Sequence, residues 1–141
     1  MLRDKSVNSV KLSMELCSEA PNYKNDWESD ITFWVNGTEV ATWLSPGDFG
    51  GRRGRLNPAW WSDYSTQYGV IKSLLITQDC IFLDETPVST QNIKKLKIQE
   101  GEYFTLRIGI KPDAKHQGGL NIFGERFGDY AQGLVYSVDY K

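Results

Sequence analysis

Hydrophobic and polar residues alternate along much of this chain. From Val10 to Leu16, the apolar Val10, Leu12, Met14 and Leu16 are interleaved with Lys11, Ser13 and Glu15. This period of two predicts a strand with one buried face. The segment DITFWVNGTEVATWL, 30–44, carries Asn36-Gly37 between two β-rich runs. Both residues tolerate positive φ, so the segment predicts a hairpin closed by a type I′ turn. YGVIKSLLIT, CIFL and EYFTLRIGI read as further strands, the last with Phe104, Leu106, Ile108 and Ile110 on one face. LVYSVDY alternates again, placing Leu134, Tyr136, Val138 and Tyr140 together. Short strands between Gly/Pro/Asn/Asp loops, without a long helical period, predict an all-β fold: an antiparallel β-sandwich of jelly-roll type.

The hairpin pattern extends to individual pairs. In a ladder running straight from the turn, Val35 faces Thr38, Trp34 faces Glu39, Phe33 faces Val40, Thr32 faces Ala41 and Asp30 faces Trp43. Ile31, Phe33, Val35, Val40 and Thr42 then form a core face. Trp34 and Trp43 lie at the two ends of the other face, roughly 13 Å apart at about 3.3 Å per residue. Two outcomes stay open: a concave aromatic trough, or both indoles packed under the loop that follows.

Length and composition narrow the reading. The 141 residues fit one domain, able to bury roughly two thirds of the surface of its unfolded form. An ordered core is expected over about 7–140, with residues 1–6 as a tail or linker. Lys and Arg number 16 against 18 Asp and Glu, so no overall basic footprint draws this domain onto nucleic acid. Cys17 and Cys80 stand far apart, without Cys or His neighbours at metal-ligand spacing. They read as reduced thiols, with a single disulfide as the alternative; no metal and no cofactor are expected. The N-terminus lacks the continuous apolar run of a signal peptide, and no segment is long enough to span a bilayer, so a cytoplasmic location without membrane contact is expected.

Two stretches are dense in chemistry. SPGDFGGRRGRLNPAWW, 45–61, combines Asp48, Arg52, Arg53 and Asn57 with Trp60 and Trp61, and its glycines let the loop bring backbone N–H groups near a ligand. It occurs once and is bracketed by tryptophans, unlike a repeated, disordered RNA-binding tract. It also lacks the lysine and helix of a phosphate loop. A solvated basic loop is the plain alternative. HQGGLNIFGERFGDY, 116–130, reads as a glycine-kinked strand and a tight loop, offering His116, Asn121 and Asp129 as a second pocket wall.

Catalysis finds little support. His116 is the single histidine and no nucleophile motif accompanies it. Asp30, Asp48, Glu125 and Asp129 could pair as glycosidase carboxylates, but carboxylates are too common for this to discriminate. No enzyme is expected.

CSEAPNYKNDW, DITFWVNGTEVATWLSPGDFGGRRGRLNPAWW, Gln67 to Gly69 and GGLNIFGERFGDY together resemble the C-terminal domain of a group of bacterial ArsR-type helix-turn-helix transcriptional regulators. The resemblance runs from about Val7 to Tyr140. It implies a domain that follows a DNA-binding winged helix and senses a small-molecule effector, commonly within a homodimer. The 141 residues contain no winged-helix segment, so direct nucleic-acid binding is not expected of them. Nor do they carry the paired cysteines of metal-sensing members. The resulting expectation is an effector domain whose ligand is a saccharide or similar polar metabolite. Trp34, Trp43, Trp60 and Trp61 would supply stacking, and Asp48, Arg52, Arg53, His116, Asn121 and Asp129 polar contacts. A non-catalytic carbohydrate-binding or protein-interaction module is the alternative, with a glycoside-processing enzyme behind it.

Overall fold

The structure is a computed structural model describing residues 6–141. The expected tail at 1–6 therefore falls, but for Ser6, outside the described residues; the Ser6 carbonyl accepts a hydrogen bond from the Lys141 N–H at 2.8 Å. Nine strands and no helix make up the described chain: β1 (Val7–Cys17), β2 (Ser29–Val35), β3 (Thr38–Ser45), β4 (Val70–Ile76), β5 (Ile81–Leu83), β6 (Thr86–Ser89), β7 (Leu106–Gly109), β8 (Asn121–Ile122) and β9 (Val135–Tyr140). They form two antiparallel sheets, consistent with a β-sandwich. The larger runs β6-β5-β4-β1-β8 with β9 also on β1; the smaller runs β3-β2-β7.

Alternation along β1 does what the pattern predicts. Val10, Leu12, Met14 and Leu16 are buried and pack with Leu74, Ile76 and Ile81 of the same sheet against Ile31, Phe33 and Val35 of the other. Each large side chain buried this way contributes roughly 1.5–3 kcal/mol. β4 pairs with β1 from Val10↔Ile76 to Leu16↔Val70. β9 and β8 share the opposite edge of β1, with Val10↔Val138 and Leu16↔Ile122.

The β2–β3 hairpin closes at Asn36 (φ 47°) and Gly37 (φ 80°), both in the left-handed region that a type I′ turn requires. Its register departs from the straight ladder. Val35↔Thr38 and Trp34↔Glu39 pair as expected, but the next pair is Phe33↔Ala41, followed by Thr32↔Thr42 and Ile31↔Trp43. Val40 is thus the extra residue of a β-bulge, and every β3 residue beyond it changes face relative to β2. Trp43 joins Ile31 on the inner side and packs on the core, with the Lys72 ammonium 4.7 Å from its ring. Trp34 lies on the outer side, its ring 4.7 Å from the Arg107 guanidinium. The two indoles do not share a face, and the trough does not form.

Other departures have local causes. β7 starts at Leu106, later than the apolar pattern suggests; the Thr105 N–H just before it is taken by Asn36 Oδ1 rather than by a backbone carbonyl. Phe104, Leu106, Ile108 and Ile110 nonetheless all reach the core. On β9 only Val138 does; Leu134, Tyr136 and Tyr140 are exposed because β9 lies at the edge of its sheet, paired with β1 alone. β6 contains Pro87, which its place at the sheet edge accommodates. The irregular segment 90–101 inserts Ile93, Leu96 and Ile98 into the core.

Candidate functional site

Between β3 and β4 the chain makes the long excursion 46–69, which contains the arginine- and tryptophan-rich stretch. Its own polar side chains order it. Gln67 is buried, and its Oε1 accepts from Gly54 N–H (3.2 Å) and Asn57 Nδ2 (3.0 Å), while its Nε2 donates to the carbonyls of Ser62 (2.8 Å) and Ser65 (3.0 Å). Arg53 donates to the carbonyls of Pro58 and Trp61 and pairs with Asp63. The Trp61 indole N–H donates to the Thr66 carbonyl at 2.7 Å. A side chain at Gly54 would meet the Gln67 carbonyl oxygen at 1.9 Å. That glycine serves the approach of the loop to itself rather than to a ligand.

The loop does not cap Trp34; it covers the outward side of β1 around Glu15. Glu15 is fully buried, and its carboxylate accepts from the backbone N–H groups of Gly69 (2.7 Å), Asp129 (3.0 Å) and Tyr130 (3.2 Å). Strand alternation puts this residue on the solvent side, and its role escapes a reading of the sequence. The one available signal is a carboxylate on the strand face that two glycine-rich loops come to cover.

The two dense stretches meet here. Arg52 makes a two-pronged ion pair with Asp129, whose Oδ1 lies 3.0 Å from Nη1, and stacks 3.7 Å over Tyr68, which in turn stacks on Phe49 at 5.5 Å. Asp129 also accepts from the Arg55 N–H, and Gly128 is bonded through both its N–H and its carbonyl to Asn57 and Leu56. The Arg52 guanidinium holds the Asp129 carboxyl below its ordinary range, and Asp129 raises Arg52 in return.

Beneath this corner lies a buried polar cluster. Asp48 is fully buried, accepting from the Ala20 N–H at 2.9 Å and from Thr66; burial pushes its carboxyl upward from 3.8. Cys17 Sγ is 3.9 Å from Asp48 and 3.8 Å from Asn121 Nδ2, and burial pushes this thiol up to about 12. Both cysteines are free.

A cleft of about 400 Å³ opens above that cluster. Trp61, Phe123 and Phe127 give it an aromatic wall, with Trp61 edge-on to Phe127 at 4.8 Å and Phe127 stacked on Phe123 at 6.0 Å. Glu19, Asn22, Ser65, Thr66 and Asn121 give it polar groups. Of the residues the sequence singled out, Trp61 and Asn121 line the cleft. Asp48 sits one layer below; Arg52, Arg53 and Asp129 brace the adjoining loops; Trp60, 78 % exposed, stands edge-on to Trp61 outside it. His116 lies elsewhere, its Nδ1 3.2 Å from Asp30 at the start of β2. Glu19, Phe123 and Phe127 were missed individually, although each falls within a stretch that carried the resemblance.

Among the described residues, no group of three or more His, Cys, Asp or Glu is placed to hold a metal ion, and no helix is long and apolar enough to cross a membrane. The cleft lining sets aromatic surface beside hydrogen-bonding groups, which suits a small molecule with both apolar and polar faces. Comparison with known proteins adds no relative: no family model matches the chain, and no curated protein or solved structure matches it.

Proposed function

We propose that this chain is the effector-binding domain of a bacterial transcriptional regulator and that its ligand, a saccharide or similar polar metabolite, occupies the cleft between Trp61, Phe127 and Asn121. The observation that carries the reading is the cleft itself: an aromatic wall and hydrogen-bonding groups converge where the two chemically dense stretches meet. Trp61 takes the stacking role, while Arg52 and Arg53 hold the loop that presents it. The regulator assignment rests on the resemblance to ArsR-type proteins. With it come a cytoplasmic location, a homodimer, DNA contact through another domain and no catalysis by this one. A jelly-roll winding belongs to the same proposal, supported by the chain's passages between sheets after β1, β3, β6 and β7. Trp60 and Tyr64, 78 % and 77 % exposed, favour a second reading as a carbohydrate-binding or protein-interaction module with an open aromatic platform.

A thermal-shift screen against sugars, amino sugars, sugar phosphates and polyols tests the proposal. A ligand at about a hundred times its Kd stabilises the folded state by about 2.7 kcal/mol. The shift is expected to disappear in Phe127→Ala and to persist in Trp34→Phe, which lies on the other sheet. A compound that binds both variants alike, or a screen without a hit, sinks the small-ligand reading.

A further inference from the structure

The charge on the cleft lining is one-sided. Among the described residues no lysine or arginine lines it, and the single charged lining residue is Glu19, which is exposed and has no ion-pair partner. A second carboxyl lies directly below: Ala20 and Thr66 both line the cleft, and both hydrogen-bond Asp48, which is near enough to feel the Glu19 charge. Of the arginines near the cleft, Arg52 is committed to Asp129 and Tyr68, and Arg53 to Asp63 and the carbonyls of Pro58 and Trp61, while Arg126 is exposed between the lining residues Gly124 and Phe127 without itself lining the cleft. An anionic ligand would meet Glu19 with no lining cation to offset it, whereas a cation would find Glu19 and aromatic faces on the same lining.

Resting on the ligand-binding reading of this cleft, we propose that it selects a hydroxylated ligand bearing a protonated amine, of amino-sugar type, with the ammonium against Glu19, an apolar ring face on Trp61 or Phe127, and hydroxyls toward Asn121 and Thr66. Phosphorylated and carboxylated sugars are disfavoured by the same carboxylate. An ammonium–carboxylate hydrogen bond that forms in one complex and is absent from the other sets the difference between the amino sugar and its neutral parent at about tenfold in affinity.

The test is a charge series on one ring, glucosamine, glucose and glucose 6-phosphate, titrated calorimetrically at about pH 6, where the amine is protonated. Wild type is expected to bind glucosamine about tenfold more tightly than glucose and to ignore glucose 6-phosphate. Glu19→Gln is expected to bring glucosamine down to the affinity of glucose, and Glu19→Lys to turn the preference toward the phosphate. Because the Glu19 side chain is exposed and supports no described ion pair, both variants are expected to fold, as circular dichroism would verify. Equal binding of the phosphate by wild type, or an amine preference that survives Glu19→Gln, overturns the inference. If an uncharged or anionic compound from the wider screen fills the cleft and amines do not, this inference falls while the effector-domain reading stands. Failure of every compound in both experiments removes both.

Discussion

Glu15 holds a buried carboxylate without an ion-pair partner among the described residues; backbone dipoles take the place of a cation. Removing it leaves the buried Gly69 N–H unpaired, at about 1–3 kcal/mol, and takes a partner from the half-buried N–H groups of Asp129 and Tyr130. Glu15→Ala is therefore expected to lose about 1–3 kcal/mol in urea unfolding, more than a typical surface substitution. A loss near zero would mean that the loops close without it. Asp48 and Asp129 give opposite pH signatures. Asp129, lowered by Arg52, adds stability above the ordinary value of 3.8 that is lost as pH falls through its lower folded value. Asp48, raised by burial, costs stability above its raised folded value, and the cost is relieved as pH falls toward 3.8. The stability difference between wild type and Asp48→Asn, followed by urea unfolding from about pH 7 to about pH 4, is expected to shift in favour of wild type as pH falls. A difference independent of pH would refute the burial argument. None of this was visible in the sequence, where Glu15 looked like one more outward polar residue and Asp48 like a ligand contact.

Among the elements, β1 and the β2–β3 turn were legible because local chemistry decides them: strict alternation in one, Asn36-Gly37 in the other. The bulge at Val40 was not. A ladder with or without it satisfies the same turn, and the choice falls to the facing sheet, which gains both Val40 and Trp43 as packing partners. The consequence is checkable by a double-mutant cycle. Trp34→Phe and Trp43→Phe are expected to be additive within about 0.5 kcal/mol, since the rings lie on opposite faces. A larger coupling would return the two indoles to a shared surface. The insertion of Ile93, Leu96 and Ile98 escaped notice for a related reason: three apolar residues in a lysine-rich turn follow neither a strand nor a helix period.

At the scale of the whole molecule, the two-sheet architecture could be read from strand count and turn spacing, because those depend on short-range pattern. The meeting of 45–61 with 116–130 was open to suspicion but beyond the reach of periodicity, since contacts such as Arg52 with Asp129 span a sequence separation that no pattern encodes. The cleft is a product of that meeting, with Trp61 contributed by one loop and Phe123 and Phe127 by the other chain segment. Gly69 closes the first loop and Asp129 and Tyr130 follow the second, and all three N–H groups hang from the two oxygens of Glu15. The walls of the cleft are thus two jaws on one pin. Besides the direct bonds between the jaws, Glu15 roots both in the central strand, so whatever pries them apart or draws them together is felt along β1 and, through its ladders, by β4 and β9.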